Sequence, residues 1–186
     1  MAKSKNVSAK VALARLKDGN KKFVKDAPTH ERQDKDRRKE LEGGQNPFAI
    51  ILSCADSRVI PELIFDTGLG ELFVIRVAGN IANTSSIASI EYAVAHLGVK
   101  LIVVLGHESC GAVGAALAGG DNGYNLNHLL AHITPALGSK SVNSVVKKNA
   151  KLTAKELETR SDIIKGAKGL EIVPAYYDFG GKVTFL

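Results

Sequence analysis

The sequence predicts an α/β fold: a mostly parallel central β-sheet flanked by helices, with an amino-terminal helical arm and a short antiparallel edge strand at the carboxyl terminus. Three observations carry this expectation. Phe48–Leu52, Leu72–Ala78 and Leu101–Leu105 are short continuous apolar runs, the texture of strands buried on both faces. Ser85–Leu97 lies between the second and third runs, has a good helical pattern with a serine cap and closes at Gly98, which makes a strand–helix–strand unit. Leu170–Tyr177, a turn over Asp178–Lys182 and Val183–Leu186 then read as a fourth strand and a final edge hairpin.

The remaining elements follow in order. Val7–Val24 predicts a helix with Ser8 as its N-cap, and Val11, Leu13, Leu16, Phe23 and Val24 are its apolar positions. Residues 26–46 are polar, with Pro28, Gly43 and Gly44, and suit a loop with room for one more helix. Gly111–Leu117 and Asn125–Leu137 predict helices, the second with Pro135 near its end, and Ser141–Ile164 predicts one or two amphipathic helices. We expect residues 1–46 to form the helical arm and residues 47–186 the α/β unit, within a single structural domain.

Composition narrows the class. At 186 residues, with 45% hydrophobic and 24% charged residues, the chain can bury a real core and is neither disordered nor low-complexity. No run of about 18 apolar residues occurs, so no transmembrane helix is expected. Met1–Lys10 is polar and lysine-rich without an apolar core, which predicts no secretory signal and a cytoplasmic protein. The net charge of +6 sits in the arm: residues 1–40 hold 13 Lys or Arg against 6 Asp or Glu. The only aromatic there is Phe23, so a solvated helical face is expected rather than a nucleic-acid surface.

Two cysteines cannot build a disulfide scaffold, and their company suggests another use. The first strand runs into Ser53-Cys54-Ala55-Asp56-Ser57-Arg58, and the third into Gly106-His107-Glu108-Ser109-Cys110-Gly111. Ligands of open α/β sheets bind beyond the carboxyl ends of the strands, where strand order switches. If the order begins second, first, third, these two loops meet in one crevice. Cys54, Asp56, His107 and Cys110 then form a tetrahedral zinc set, in which a Cys₂His core can keep its fourth position open for water. Cys110 would lie near a helix amino terminus, which favours its thiolate. A dinucleotide fingerprint, a phosphate-binding loop and a Cys-x-x-Cys pair are all missing.

At Cys54-Ala55-Asp56-Ser57-Arg58 and His107-Glu108-Ser109-Cys110-Gly111 the sequence resembles the β-class carbonic anhydrases, and the plant-type branch in particular. The resemblance extends through Arg76-Val77-Ala78-Gly79-Asn80, Glu91-Tyr92-Ala93-Val94 and Ala175-Tyr176-Tyr177-Asp178. It implies a zinc lyase that interconverts carbon dioxide and bicarbonate, with Cys54, His107 and Cys110 on Zn²⁺. Asp56 is then either a fourth ligand or, paired with Arg58, the orienter of a water on the metal.

By position the resemblance also makes Gln45, Phe73 and Tyr92 the substrate-binding residues, in an apolar cleft between two chains, and His96 a proton shuttle. It implies a homodimer or a dimer of dimers, with no membrane partner. Relatives that hydrolyse carbon disulfide or carbonyl sulfide keep the same metal motif, so that activity is the alternative. One departure is that Gly19-Asn20 is followed by Lys21-Lys22-Phe23, where the family usually has a Trp.

Overall fold

The computed structural model describes residues 6–186. The expectation of no leader rests on Met1–Lys10, whose first five residues lie outside the described part. Five strands form one sheet: β1 (Ala49–Ser53), β2 (Leu72–Arg76), β3 (Leu101–His107), β4 (Glu171–Tyr177) and β5 (Val183–Phe185). Their order is β2-β1-β3-β4-β5, with the first four parallel and β5 antiparallel to β4. Every residue of β1 and β3 is buried, as their unbroken apolar runs require. After β1 the chain steps outward to β2, then crosses back over β1 to β3. The carboxyl ends of β1 and β3 are therefore neighbours at a switch in strand order.

Helices cover both faces. They are α1 (Ala9–Val24), α2 (Lys35–Glu40), α3 (Pro61–Ile64), α4 (Thr84–Leu97), α5 (Gly111–Ala118), α6 (Tyr124–Ala131), α7 (Val142–Arg160) and α8 (Asp162–Gly166). One core cluster packs α1 against the sheet through Ala12, Leu16, Ile51, Phe65 and Val103. A second packs α4 and α7 on the other face through Ile50, Leu52, Ile90, Ala150 and Leu157. A third, beyond the strand ends, gathers Cys54, Ile81, Cys110, Val113, Ile133 and Val146. No described helix is long and apolar enough to cross a membrane.

Several details differ from the sequence reading, each for a local reason. Ser8 caps α1 as expected, accepting from the Val11 N–H. The buried face of α1, however, is Ala9, Ala12, Leu16, Gly19 and Asn20, while Val11 and Val24 are exposed. Gly19 decides this, because a Cβ there would overlap the Phe65 carbonyl oxygen. Asn20 then anchors the helix: it donates to Gly181 O at 2.8 Å and Ile64 O at 3.2 Å, and accepts from the Val183 N–H at 2.9 Å.

The α4 cap is Asn83 rather than a serine, because its amide oxygen takes both the N–H and the hydroxyl of Ser86. The helix expected over Asn125–Leu137 stops at Ala131, and Pro135 sits in a separate 3₁₀ turn at Thr134–Ala136. Ser141–Ile164 divides at Ser161, which ends α7 and caps α8. The second strand ends at Arg76 instead of Ala78, and β3 runs on to include His107.

Candidate metal centre

Three elements bring three candidate metal ligands together. Cys54 is the first residue after β1, His107 is the last residue of β3, and Cys110 is the N-cap of α5. Ser109 makes the tight turn between the last two with a positive φ of 51°, and its N–H is held by Asn143 Oδ1 at 2.9 Å. One ligand atom from each of Cys54, His107 and Cys110 lies within 4.8 Å of the others, and all three residues are buried. Asp56 is not in that group.

The imidazole is oriented for coordination. His107 Nδ1 lies 2.8 Å from the Glu108 carbonyl oxygen, a partner that requires the proton on Nδ1. Nε2 is left with its lone pair, buried and without a hydrogen-bond partner. A buried polar atom of this kind costs free energy unless something fills the place beside it. An ion that takes two sulfurs and a nitrogen fits the donor set, and zinc is the commonest such ion.

The two thiols share one negative charge. A hydrogen bond from Cys110 is the main reason that the Cys54 thiol is pulled down to about 4, and the nearby His107 ring and the N–H groups of Asp56 and Gly79 act the same way against burial. Gly79 N lies 3.4 Å from Cys54 Sγ. Cys110, the donor of the pair, is pushed up by that bond and by burial, although N–H groups at the start of α5 oppose this. A second thiolate needs a cation beside it.

Asp56 is turned toward Arg58. Arg58 donates from Nε to Oδ1 at 2.9 Å and from Nη2 to Oδ2 at 2.8 Å, and its backbone N–H reaches Oδ1 at 3.0 Å. These bonds hold the Asp56 carboxyl well below the usual carboxylate range. Oδ2 still lies only 3.9 Å from His107 Nε2. The clamp thus sits at the edge of the metal cluster.

The other expected site residues lie elsewhere in the chain. Gln45 precedes β1 and lines a crevice with Arg15, Arg37 and Phe48, while Cys54 follows β1 at its opposite end. Phe73 pairs with Ile50 near the amino end of the sheet. Its ring is 6.3 Å from that of Tyr92, which stacks on His96 at 5.1 Å. Tyr92 and His96 are exposed. One chain does not bring Gln45, Phe73 and Tyr92 to the cysteines.

Comparison with known proteins decides the family. Residues 49–181 match the family model described as carbonic anhydrase. The chain belongs to the β-class carbonic anhydrase family. A carbonic anhydrase of Mycolicibacterium smegmatis is 40% identical over 175 residues, covering 89% of this chain and 84% of that protein. Carbonic anhydrase 2 of Mycobacterium tuberculosis is 52% identical over 118 residues, a match spanning 63% of this chain and only 57% of the relative. Among solved structures, a tetrameric β-carbonic anhydrase of Sordaria macrospora aligns with a TM-score of 0.74 at 30% identity, covering 80% of this chain and 85% of that one. The Coccomyxa β-carbonic anhydrase, solved with acetazolamide, gives 0.75 at 26% identity over 94% and 86% of the two chains.

The carbonic anhydrase motifs contain the three candidate ligands but not the residues that support them. Arg76 donates to the carbonyls of Cys54 at 3.1 Å and Asp56 at 2.6 Å, fixing the loop after β1. Asn149, buried on α7, donates to the Gly79 carbonyl at 2.9 Å. Gly79 has a φ of +70°, and a Cβ there would come within 2.7 Å of Ile133. Phe179 lies over Arg58. Arg76 and Gly79 stood in a recognised motif, whereas Asn149 and Phe179 carried no sequence signal.

Proposed function

We propose that this chain catalyses the reversible hydration of carbon dioxide to bicarbonate and a proton, with Zn²⁺ held by Cys54, His107 and Cys110. The buried Cys₂His cluster with the unpartnered His107 Nε2 is the observation that carries this reading. Zinc in such a site supplies a Lewis acid that makes water nucleophilic near neutral pH. The two sulfurs, once both are ionised, balance the charge of a divalent ion, so activity should rise with pH above neutrality.

Asp56 and Arg58 are the catalytic residues of this proposal. Arg58 keeps Asp56 ionised and directed away from the cluster. An ionised Asp56 can accept a hydrogen bond from the attacking water and orient its lone pair toward carbon dioxide. Were Asp56 released, it would become the fourth ligand and exclude that water.

Gln45, Phe73 and Tyr92 are proposed to bind substrate across a homodimer, as in the plant-type branch. Their separation from Cys54 within one chain supports a site completed by a second copy. His96, exposed and stacked on Tyr92, is the proposed proton relay. Free buried cysteines suit a reducing cytoplasm. The relatives described above are carbonic anhydrases, which gives no support to hydrolysis of carbon disulfide or carbonyl sulfide.

Stopped-flow hydration of carbon dioxide, run with metal analysis, tests the proposal. The expected result is one zinc per chain and activity that is lost with the metal in Cys54→Ser and Cys110→Ser. Full zinc retention in both variants, or no hydration by the zinc-loaded protein, would overturn it.

A further inference from the structure

We infer that Phe179 and Glu108 are positioning residues that hold Arg58 in its clamp on Asp56, so that the turn between β4 and β5 sets where the Asp56 carboxylate points. The mechanistic meaning of that clamp rests on the function proposed above, but the contacts themselves do not.

Asp56 holds only one face of the problem. Its two bonds lie in the plane of the Arg58 guanidinium and leave the flat faces of that group free. The Arg58 side chain is 55% exposed, so water competes for its donors. Phe179 covers one face: the Arg58 Cζ atom is 4.3 Å from the ring centroid. A cation over an aromatic face is attracted by the ring quadrupole, and the ring also excludes water from that side. Phe179 therefore strengthens the clamp without touching Asp56.

The ring is itself held from three directions. Its backbone N–H donates to Glu108 Oε2 at 2.8 Å. The Tyr177 ring meets it edge-on at 6.2 Å, and the His107 ring lies 6.2 Å away. Glu108 grips the same segment a second time, because its own N–H donates to the Tyr177 carbonyl at 2.8 Å. The Glu108 carbonyl is the acceptor that fixes the His107 ring. One residue thus sets both the metal-facing nitrogen and the turn that caps Arg58.

The turn does not need Phe179 in order to form. Asp178 and Lys182 close it with an N–H to carbonyl bond of 3.0 Å, and Asp178 Oδ1 takes the Lys182 N–H at 3.1 Å. Phe179 is 39% exposed and is absent from the three core clusters. An exposed aromatic ring aimed at a charged site residue is poorly explained by core packing.

Three variants test the inference. Phe179→Leu keeps an apolar side chain and removes the ring face, Phe179→Trp keeps the face, and Glu108→Ala removes the carboxylate that holds the Phe179 N–H. Phenylglyoxal modification followed by peptide mapping reads the Arg58 guanidinium directly and needs no metal. Arg58 should react about three- to tenfold faster in Phe179→Leu and Glu108→Ala than in the wild type, and no faster in Phe179→Trp.

In cobalt(II)-loaded protein, the visible spectrum of Phe179→Leu should move toward that of Arg58→Ala, with metal content unchanged. Its kcat for carbon dioxide should fall by a similar factor. Unchanged Arg58 reactivity in Phe179→Leu overturns the inference. Faster Arg58 modification in a protein that neither binds metal nor hydrates carbon dioxide would uphold the positioning and sink the functional reading instead.

Discussion

Asn149 Nδ2 donates to the carbonyl oxygen of Gly79 at 2.9 Å, and both residues are buried. The N–H of the same glycine points at Cys54 Sγ. The long helix α7 therefore grips, from behind, the loop that supports Cys54, one of the proposed metal ligands. Outer partners of this kind commonly change metal affinity by about ten- to a hundredfold when removed.

Asn149→Ala should accordingly lower zinc affinity by about tenfold. It also strands the buried Gly79 carbonyl, which costs about 1–3 kcal/mol. Competition with a chelator reads the first effect and urea denaturation the second. A variant that loses stability but binds zinc as tightly as the wild type would show that the bond serves the fold alone.

Arg58→Ala should retain its zinc and lose activity by about a hundredfold or more, because Asp56 has lost the partner that directs it. Asp56→Ala should also retain zinc, through Cys54, His107 and Cys110, with a comparable loss. The Asp56 carboxyl is depressed in the folded chain, so its stabilising contribution is present above about pH 4 and disappears as pH falls further. Acid denaturation of Asp56→Asn should lack that component. Wild-type kcat/KM in Arg58→Ala would rule out the clamp.

Metal removal exposes the thiol pair to a pH dependence whose sign follows from counting protons. Cys54 titrates at about 4 in the folded chain against about 9 when unfolded, and Cys110 titrates above its ordinary value. Between pH 4 and pH 9 the unfolded chain binds two protons at these sites and the folded chain one, so stability rises with pH. Above about pH 9 the folded chain keeps the Cys110 proton that the unfolded chain releases, and stability falls. Urea midpoints of chelator-treated protein should show this rise and fall, and Cys54→Ser should abolish the rise and leave only a weaker fall from the burial of Cys110. Superimposable profiles for the two proteins would contradict the shared charge.

Gly19→Ala should destabilise by about 2 kcal/mol or more, because α1 has to lift away from the Phe65 carbonyl and loosen the Asn20 bonds to Gly181 and Val183. Thermal denaturation of the zinc-loaded protein measures it. An unchanged melting temperature would mean that α1 is not seated through Gly19.

The strands were legible because their burial is unambiguous. FAIIL and LIVVL have no polar side to present, so only central positions suit them, and the ligands could be placed beyond their ends. In the buried face of α1 only Leu16 was legible, because Ala9, Ala12, Gly19 and Asn20, which make up the rest of it, score low in apolar periodicity. Gly19 is chosen for what its missing side chain allows, and Asn20 for bonds to residues far along the chain. Pro135 marked a helix end without saying on which side the helix stopped. In the proposed site, Cys54, His107 and Cys110 stand out in the sequence by residue type and spacing. Asn149 and Phe179 act through distance and ring orientation, which no spacing encodes.

The five buried residues of β1 separate Gln45 from Cys54 like the bar of a dumbbell. In the homodimer proposed here, each pocket would draw its metal ligands from one chain and its glutamine from the other. Inactivity would then be a property of chain combinations rather than of chains. A Gln45→Leu protein keeps its zinc ligands, and a Cys54→Ser protein keeps its glutamine. Each is crippled when paired with itself. Mixed and allowed to exchange subunits, they should produce hybrids in which one pocket holds an intact copy of both halves, and activity should reappear on mixing.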